Sequence, residues 1–282
     1  MKFGSSELIL NVDQSVYHLN LLPQDLADTV ITVGDPDRVK RVSQFFDKID
    51  LKKGKREFLT HTGWLNNKRI SVISTGIGTD NIDIVLNELD ALVNIDFETR
   101  TVKKDKTRLD IIRIGTSGAI QPDIPVDSFL ISEYAIGLDS LLHFYDSLHI
   151  QHPEIQEAFL KHTKWLKEKS SPYVVAYDKD LGAQFVSDKM QLGFTATNVG
   201  FYGPQGRSLR LKLEDDNMNA KLASFNYKNK RITNLEMETS GIYGLAKLLG
   251  HRAVSLNCIL ANRPNGQFSS RPDSAIDELI KY

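Results

Sequence analysis

The sequence predicts an α/β protein, and three of its patterns support this prediction. Short β-branched runs alternate with stretches whose apolar residues recur at helical spacing, which is typical of layered α/β folds. Several of the predicted strands run directly into glycine-containing turns. The composition is globular, with 41% hydrophobic and 25% charged residues. Because no linker rich in proline, glycine or serine divides the chain, we expect one domain over 1–282.

Buried strands are predicted where a short aliphatic and β-branched run is bounded by turn residues. The three clearest runs are 29–33, 70–74 and 109–114, which lead into Gly34, Thr75 and Gly115. The same rule gives four further candidates, at 129–131, 173–176, 193–197 and 253–260.

Helices are predicted between these strands. The first has Asp80 available as its N-terminal cap, and its apolar face consists of Ile82, Val85, Leu86, Leu89, Leu92 and Val93. The second is closed by Gly250, and its apolar face consists of Ile242, Leu245, Ala246 and Leu249. A terminal helix is expected over 272–282, and the highly charged stretch 96–108 is expected to be an exposed loop or helix end.

The composition excludes several classes of function. With 35 basic and 36 acidic residues, no global field favours nucleic acid or an anionic membrane, so any anion site must be local. The single cysteine, Cys258, excludes an intrachain disulfide. The N-terminus lacks the apolar core of a signal peptide, and no stretch approaches the roughly 18 apolar residues that span a bilayer. We therefore expect a soluble, cytoplasmic protein.

Three glycine turns at predicted strand ends carry residue types that bind anions. In open α/β sheets, ligands collect beyond the carboxyl ends of the strands. Gly34 precedes a helix start that holds Arg38, whose forked guanidinium matches phosphate oxygens. Arg113 lies in an apolar run before Thr116, and burying it is costly unless it meets an anion or a carboxylate. The third turn, 74–78, precedes a helix N-terminus. Together these turns favour an oxyanion site.

Other interpretations of the arginines remain open. Arg38 could form a surface ion pair, and Arg113 could form a core ion pair with an acid. The glycine turns match neither the dinucleotide fingerprint Gly-x-Gly-x-x-Gly nor the phosphate loop of nucleotide hydrolases.

Seven short sequence blocks are distributed along the chain in the order that a known family shows. They are YHL at 17–19, GDPDRV at 34–39, REF at 56–58, STGIG at 74–78, RIGTSGAIQ at 113–121, FYxxQxR at 201–207 and EME at 236–238. In these blocks the chain resembles the nucleoside phosphorylase family, and its uridine phosphorylase branch in particular. The resemblance extends from about Val16 to Arg263, which is nearly the whole chain.

The resemblance implies a three-layer nucleoside phosphorylase fold with a mixed, twisted central sheet flanked by helices. It also implies a pentosyltransferase, a uridine phosphorylase that reversibly converts uridine and phosphate to uracil and ribose 1-phosphate in pyrimidine salvage. Inorganic phosphate is then a co-substrate and no cofactor is required, while a structural monovalent cation near Glu57 and Ser74 is left open. The implied assembly is a homo-oligomer built from dimers with shared active sites.

The resemblance also assigns the site residues. Phosphate is held by Gly34, Arg38, Arg113 and Thr116, with Arg56 from the adjacent subunit. Ribose is held by Met237 and Glu238, with His18 crossing the interface to the 5′-hydroxyl. The pyrimidine is held by Phe201, Gln205 and Arg207. The catalytic group consists of Arg113, Thr116, Glu238 and Arg207.

The chemistry of glycosidic cleavage accounts for these roles. Positive charge develops on the ribose as the base leaves, so a phosphate fixed by arginines supplies both an oriented nucleophile and an opposing charge. Glu238 is suited to accept from the 2′- and 3′-hydroxyls, and Gln205 matches uracil N3–H and a ring carbonyl. Arg207 stabilises the departing uracil anion. We expect Arg113→Leu to nearly abolish turnover while the protein stays folded or gains stability.

Some positions depart from the family pattern. Asp80 lies where bacterial uridine phosphorylases have a proline-serine pair, and we expect it to cap the helix rather than face phosphate. Val199, beside Asn198, occupies the position of the aspartate that protonates the base in the purine branch, which argues against purine nucleosides. The alternatives are a purine nucleoside phosphorylase or a nucleosidase of the same fold, and a non-catalytic nucleoside-binding relative. The segment 96–108 is assigned no role.

Overall fold

The computed structural model describes residues 2–282. The strands are β1 (Thr29–Val33), β2 (Lys48–Lys55), β3 (Phe58–Leu65), β4 (Lys68–Ser74), β5 (Ile95–Asp96), β6 (Thr101–Val102), β7 (Asp110–Ala119), β8 (Phe129–Gly137), β9 (Tyr173–Ala176), β10 (Met190–Thr197), β11 (Asn226–Tyr227), β12 (Lys230–Glu236), β13 (Arg252–Asn262) and β14 (Gln267–Phe268). The α-helices are α1 (Pro36–Ser43), α2 (Thr79–Asn94), α3 (Pro153–Thr163), α4 (Lys179–Ala183), α5 (Met218–Ser224), α6 (Thr239–Leu249) and α7 (Pro272–Lys281).

The central sheet is mixed, in the order β11-β12-β10-β8-β13-β7-β1-β4-β3-β2. Strand β1 runs parallel to both β4 and β7, whereas β2, β3 and β4 form an antiparallel meander. Strand β12 also pairs with the end of β7, where Leu235 lies opposite Gly118. This pairing closes β7, β13, β8, β10 and β12 into a ring. The mixed, twisted sheet flanked by helices confirms the predicted fold class.

Helices cover both faces of the sheet because each buries one apolar stripe. On one side, α2 and α6 pack together over β1 and β7 through side chains that include Leu86, Leu89 and Ile242. On the other side, α1 and α7 pack against β1, β7 and β13 through residues such as Val39 and Ile276. Each fully buried aliphatic side chain of this kind contributes roughly 1.5–3 kcal/mol to folding. The two layers hold the central strands in place between them.

The predicted strands are found, and most are longer than predicted. The bounds of β1 and β9 agree with the sequence prediction, and the helix predicted at the C-terminus is α7. The turn predicted after 109–114 is wrong, because β7 continues through 115–118 to Ala119 in register with β13. The prediction that Asp80 caps α2 is also wrong. Asp80 lies exposed in the first turn, and the N-cap is Gly78 at φ 93°.

The charged segment 96–108 is only partly an exposed loop. Its first residues complete the β5–β6 hairpin. Arg100, in the turn of that hairpin, donates to the carbonyls of Phe3 and Gly4 at 3.0 and 2.8 Å, so the hairpin anchors the N-terminal segment. Among residues 2–282, no helix has both the length and the hydropathy required to cross a bilayer.

Candidate functional site

A cavity of about 540 Å³ opens beside the start of α1, the middle of β7 and the start of α6. Most of the predicted site residues line it. They are Gly34, Arg38, Arg113, Thr116, Phe201, Gln205, Arg207, Met237 and Glu238. Segments far apart in the sequence therefore meet at one place. A neighbouring groove of about 870 Å³ is larger, but it shares only Arg207 with this set, so we take the smaller cavity as the site.

The first wall of the cavity is the turn from β1 into α1. The carboxylate of Asp35 caps α1 by accepting from the Asp37 amide at 2.9 Å, and Pro36 occupies the first turn as predicted. Arg38 then lies in that turn beside the cavity. Its Nε is buried without a partner among residues 2–282, and its Nη1 reaches only the Ile114 carbonyl at 3.4 Å. The surface ion pair that the sequence allowed for Arg38 is therefore not formed with any of residues 2–282.

The electrostatics around Arg38 favour an anion. Burial and the nearby Arg113 guanidinium lower the pKa of Arg38. Two guanidinium groups that face one cavity repel each other until an anion lies between them. Because buried guanidinium N–H groups also need acceptors, this wall suits the oxygens of a phosphate.

Arg113 lies in the middle of β7 and is 6% exposed. Its Nη2 lies 2.7 Å from Glu238 Oε2 and 3.2 Å from Glu236 Oε2, and its Nη1 donates to Asn257 Oδ1 at 2.9 Å. Burial lowers the pKa of the guanidinium, but these two carboxylates outweigh it, so the pKa of Arg113 is raised. Arg113 therefore forms the core ion pair that the sequence left open, and it also lines the cavity.

The ion pairs of Arg113 change one expectation. Arg113→Leu would leave two carboxylates buried without their cation, which destabilises a fold. The ion pairs remove the basis for expecting that this variant keeps or gains stability, and we expect it to lose stability instead.

Gly115 explains why β7 was mistaken for a strand that ends in a turn. A Cβ at Gly115 would collide with the guanidinium of Arg113, which folds back over the strand. The glycine makes room for a buried arginine inside a continuous strand. Thr116 follows it, half-buried and on the cavity wall.

Glu238 is the N-cap residue of α6, and its side chain faces the cavity without bonding to the amides of that helix. Its Oε1 accepts from the Gly78 amide at 2.9 Å, so it also ties α6 to the start of α2. Burial raises the pKa of the Glu238 carboxyl, and the adjacent Arg113 opposes that shift. Met237 lies next to it, half-buried.

Glu236 is the residue whose importance the sequence did not show. Its Oε2 accepts from the amides of Glu238 and Thr239 at 2.9 Å each, and its Oε1 accepts from Thr197 Oγ1 at 2.6 Å. It therefore fixes the start of α6 while it pairs with Arg113. The available signal was its place in the EME block. Asn257, which accepts from Arg113, was also not predicted. The available signal for it was a polar amide side chain inside an apolar strand.

The predicted base-binding residues form one unit on the segment after β10. Arg207 Nη1 donates to Gln205 Oε1 and to the Phe201 carbonyl, both at 2.6 Å. The Arg207 guanidinium also lies 3.8 Å from the centre of the Phe201 ring. Burial and the nearby Arg263 lower the pKa of Arg207 to about 10, so it remains charged at neutral pH. Gln205 is buried, whereas Phe201 is 52% exposed at the rim.

His18 and Arg56 lie away from the cavity of their own chain. Neither is among its lining residues. His18 Nδ1 lies 2.6 Å from Glu88 Oε1, and Arg56 is exposed in the turn between β2 and β3 at φ 57°. Their roles in a neighbouring subunit's site stay predictions.

The neighbourhood of Glu57 and Ser74 is held by hydrogen bonds within the chain. Ser74 Oγ donates to the Glu57 carbonyl at 2.5 Å and accepts from the Leu59 amide at 2.7 Å. Glu57 Oε1 accepts from Asn81 Nδ2 at 3.2 Å. The monovalent cation near these residues stays a prediction.

Comparisons with known proteins agree with this geometry. The family model described as the phosphorylase superfamily matches residues 28–277. A uridine phosphorylase of Thermococcus kodakarensis is 30% identical over 273 residues, which are 95% of this chain and 84% of that protein. A uridine phosphorylase of Escherichia coli is 28% identical, over 94% of this chain and 95% of that protein.

A solved structure agrees as well. A Trypanosoma brucei nucleoside phosphorylase, described as showing uridine phosphorylase activity, superposes with a TM-score of 0.85 at 30% identity, covering 97% of each chain. A family model that matches nearly the whole chain, and a fold shared along its full length with a solved relative, show that this protein belongs to the nucleoside phosphorylases of the phosphorylase superfamily.

Proposed function

We propose that this protein is a uridine phosphorylase, a pentosyltransferase that moves ribose from uridine to inorganic phosphate in pyrimidine salvage. The observation that carries the proposal is one cavity in which two arginines, Arg38 and Arg113, lie beside the Gln205–Arg207 unit. The names of the relatives from Thermococcus kodakarensis and Escherichia coli support the same activity.

In the proposed reaction, phosphate binds against Gly34, Arg38 and Thr116, with Arg113 beside it. A phosphate oxygen bonds to C1′ of uridine as the bond from C1′ to N1 breaks, and the bonding electrons leave with uracil. Fixing the nucleophile next to C1′ removes much of its entropy cost, and its charge opposes the positive charge on ribose. The uracil anion then takes a proton from solvent.

Glu238 and the base unit orient the nucleoside. The Glu238 carboxylate accepts from the 2′- and 3′-hydroxyls through lone pairs that its oxygens have beyond those bonded to Gly78 and Arg113. Arg207 donates to a uracil carbonyl and stabilises the anion as it departs. Cytosine has an amino donor where uracil has O4, so donor would face donor and cytidine should be rejected.

The proposal includes assembly and cofactor use. We propose a homo-oligomer built from dimers, in which Arg56 and His18 complete the neighbour's site, since both lie outside the cavity of their own chain. We further propose that the enzyme acts as a single domain in the cytoplasm and requires no cofactor beyond its substrates.

A nucleoside panel tests the activity. With phosphate or arsenate present, uridine is expected to release uracil, while cytidine, inosine and adenosine release little base. Chromatography of the free bases measures this, and reactions without either anion are the control. Equal cleavage without an anion would make the protein a nucleosidase, and faster cleavage of inosine would make it a purine enzyme. Nucleoside binding without cleavage would make it a non-catalytic relative.

Alanine at Gln205 or Arg207 is expected to lower kcat/KM for uridine by an amount equivalent to roughly 2–5 kcal/mol, because a buried polar partner is left unpaired. Phosphate affinity should change little, since Arg38 and Arg113 are untouched. Arg210→Ala is the matched control, because Arg210 is an exposed arginine on the same segment. Equal losses in the Arg207 and Arg210 variants would remove Arg207 from base recognition.

A further inference from the structure

Glu88, in the middle of α2, holds the segment that carries His18. Its Oε1 lies 2.6 Å from the His18 ring at Nδ1 and accepts from the His18 amide at 3.0 Å, and its Oε2 accepts from the amides of His18 and Leu19 at 3.1 and 2.8 Å. The side chains of His18 and Glu88 are only 25% and 16% exposed. One carboxylate thus fixes two consecutive backbone N–H groups and the ring that projects from them.

This contact also sets which ring nitrogen carries the proton. An ionised carboxylate only accepts, so Nδ1 of His18 must be the donor. In the neutral imidazole, Nε2 on the other side of the ring is then an acceptor. Nε2 forms no hydrogen bond within residues 2–282. Tyr17 stands edge-on to the ring at 4.8 Å and Phe58 at 6.5 Å, so aromatic neighbours pack against the same imidazole.

We propose that Glu88 is the positioning residue of the 5′-hydroxyl subsite: it orients His18 and keeps Nε2 free to accept from the 5′-hydroxyl of a nucleoside in the neighbouring subunit. The inference rests on the proposed function, which supplies the nucleoside and the role of His18. Holding the ring before the nucleoside arrives removes most of the ordering cost of that hydrogen bond. Glu88 itself touches no substrate.

The Glu88→Gln variant tests the effect of Glu88 on the His18 ring separately from its effect on the fold of the segment that carries His18. The glutamine oxygen can replace Oε2 and still accept from the two backbone amides, so the backbone loses only the second contact of the His18 amide, the one to Oε1. Its NH₂ group then faces Nδ1, which must become an acceptor, so the proton moves to Nε2. Nitrogen-15 NMR of the imidazole rings, with the His18 signals assigned from His18→Ala, is expected to show this reversal of tautomer. The readout needs no catalysis.

Kinetics test the consequence for the substrate. The ratio of kcat/KM for uridine over that for 5′-deoxyuridine measures what the 5′-hydroxyl contributes. His18→Ala should bring this ratio close to one. Glu88→Ala should lower it by about 3–10-fold, as expected for losing one well-oriented hydrogen bond. Glu88→Gln should lower it by less, because the ring stays held and the 5′-hydroxyl oxygen can accept from Nε2–H of the reversed tautomer. Asp83→Asn is the matched control, because Asp83 lies on the same helix but contacts Tyr145 and Asn87 instead.

The outcomes distinguish a failure of the positioning role of Glu88 from a failure of the proposed function. A parent-like ratio in both Glu88 variants, or an unchanged His18 spectrum in Glu88→Gln, would overturn the positioning role while leaving the proposed function intact. If the parent enzyme does not split uridine, or if His18→Ala keeps the parent's ratio, the proposed function or its assignment of His18 fails first, and the role of Glu88 fails with it.

Discussion

Arg113→Leu is expected to lower kcat/KM for uridine by roughly a thousandfold or more, because it removes a preorganised cation from beside the nucleophile. The same change should destabilise the protein by about 3–5 kcal/mol, the usual cost of removing one partner of a buried ion pair. Glu236 and Glu238 would remain buried within 3.2 Å of the lost guanidinium. Both effects follow from one side chain that serves the fold and the cavity at once.

Thermal unfolding followed by circular dichroism measures the stability, and activity is assayed at a temperature where the variant is folded. Arg113→Lys keeps a positive charge but loses the fork, so it should recover part of the stability and little of the activity. Arg231→Leu is the control, since its ion pair with Asp123 is exposed and contributes little. Near-parent activity in folded Arg113→Leu would show that Arg113 is only a structural ion-pair residue.

Mixing two inactive variants is expected to restore activity. Arg56→Ala should damage only the neighbour's site, and Arg113→Ala only its own. In a mixed dimer one site is then intact and the other carries both changes. With equal amounts and random exchange, about a quarter of the parent activity should return. The assay follows uracil release as subunits exchange, and mass spectrometry of differently tagged subunits verifies the exchange.

Arg38 provides a second partner for this experiment. Arg38 lines the cavity of its own chain, yet it forms no ion pair with any of residues 2–282, so Arg38→Ala is expected to fold well. Mixing it with Arg56→Ala should also restore activity, whereas mixing Arg38→Ala with Arg113→Ala should restore none. If verified exchange with Arg56→Ala restores no activity at any mixing ratio, Arg56 does not complete a neighbour's site.

The parts of the fold that the sequence predicted are those with strong local signals. Strands β1 and β9 are buried aliphatic runs between turn residues, and their bounds were predicted correctly. Strand β2 was missed because it lies at the sheet edge and alternates half-exposed with exposed residues, many of them lysines. Such a strand is specified by its pairing with β3 rather than by its own hydrophobicity.

The candidate site was predictable as a set of residues but not as a network. The motifs identified Arg113 and Glu238, and their shared cavity confirms that these segments meet. They lie 125 residues apart, so no local pattern shows that they pair with each other. For the same reason, the sequence could not decide whether Arg113 meets an anion or a carboxylate. The pairing of β12 with β7 brings Glu236, and Glu238 just after it, next to Arg113.

The closed ring of strands also separates the residues that are hard to move from those that can be redesigned. Arg113 and Thr116 lie on β7 and Glu236 lies on β12, and each of these strands pairs with strands on both sides, so moving any of the three means breaking several backbone hydrogen bonds. The base unit, at 201–207, is carried by a short segment outside every strand. New base preferences can therefore be sought by replacing this segment with segments of other sequence. The residues that bind the sugar and phosphate would be kept unchanged.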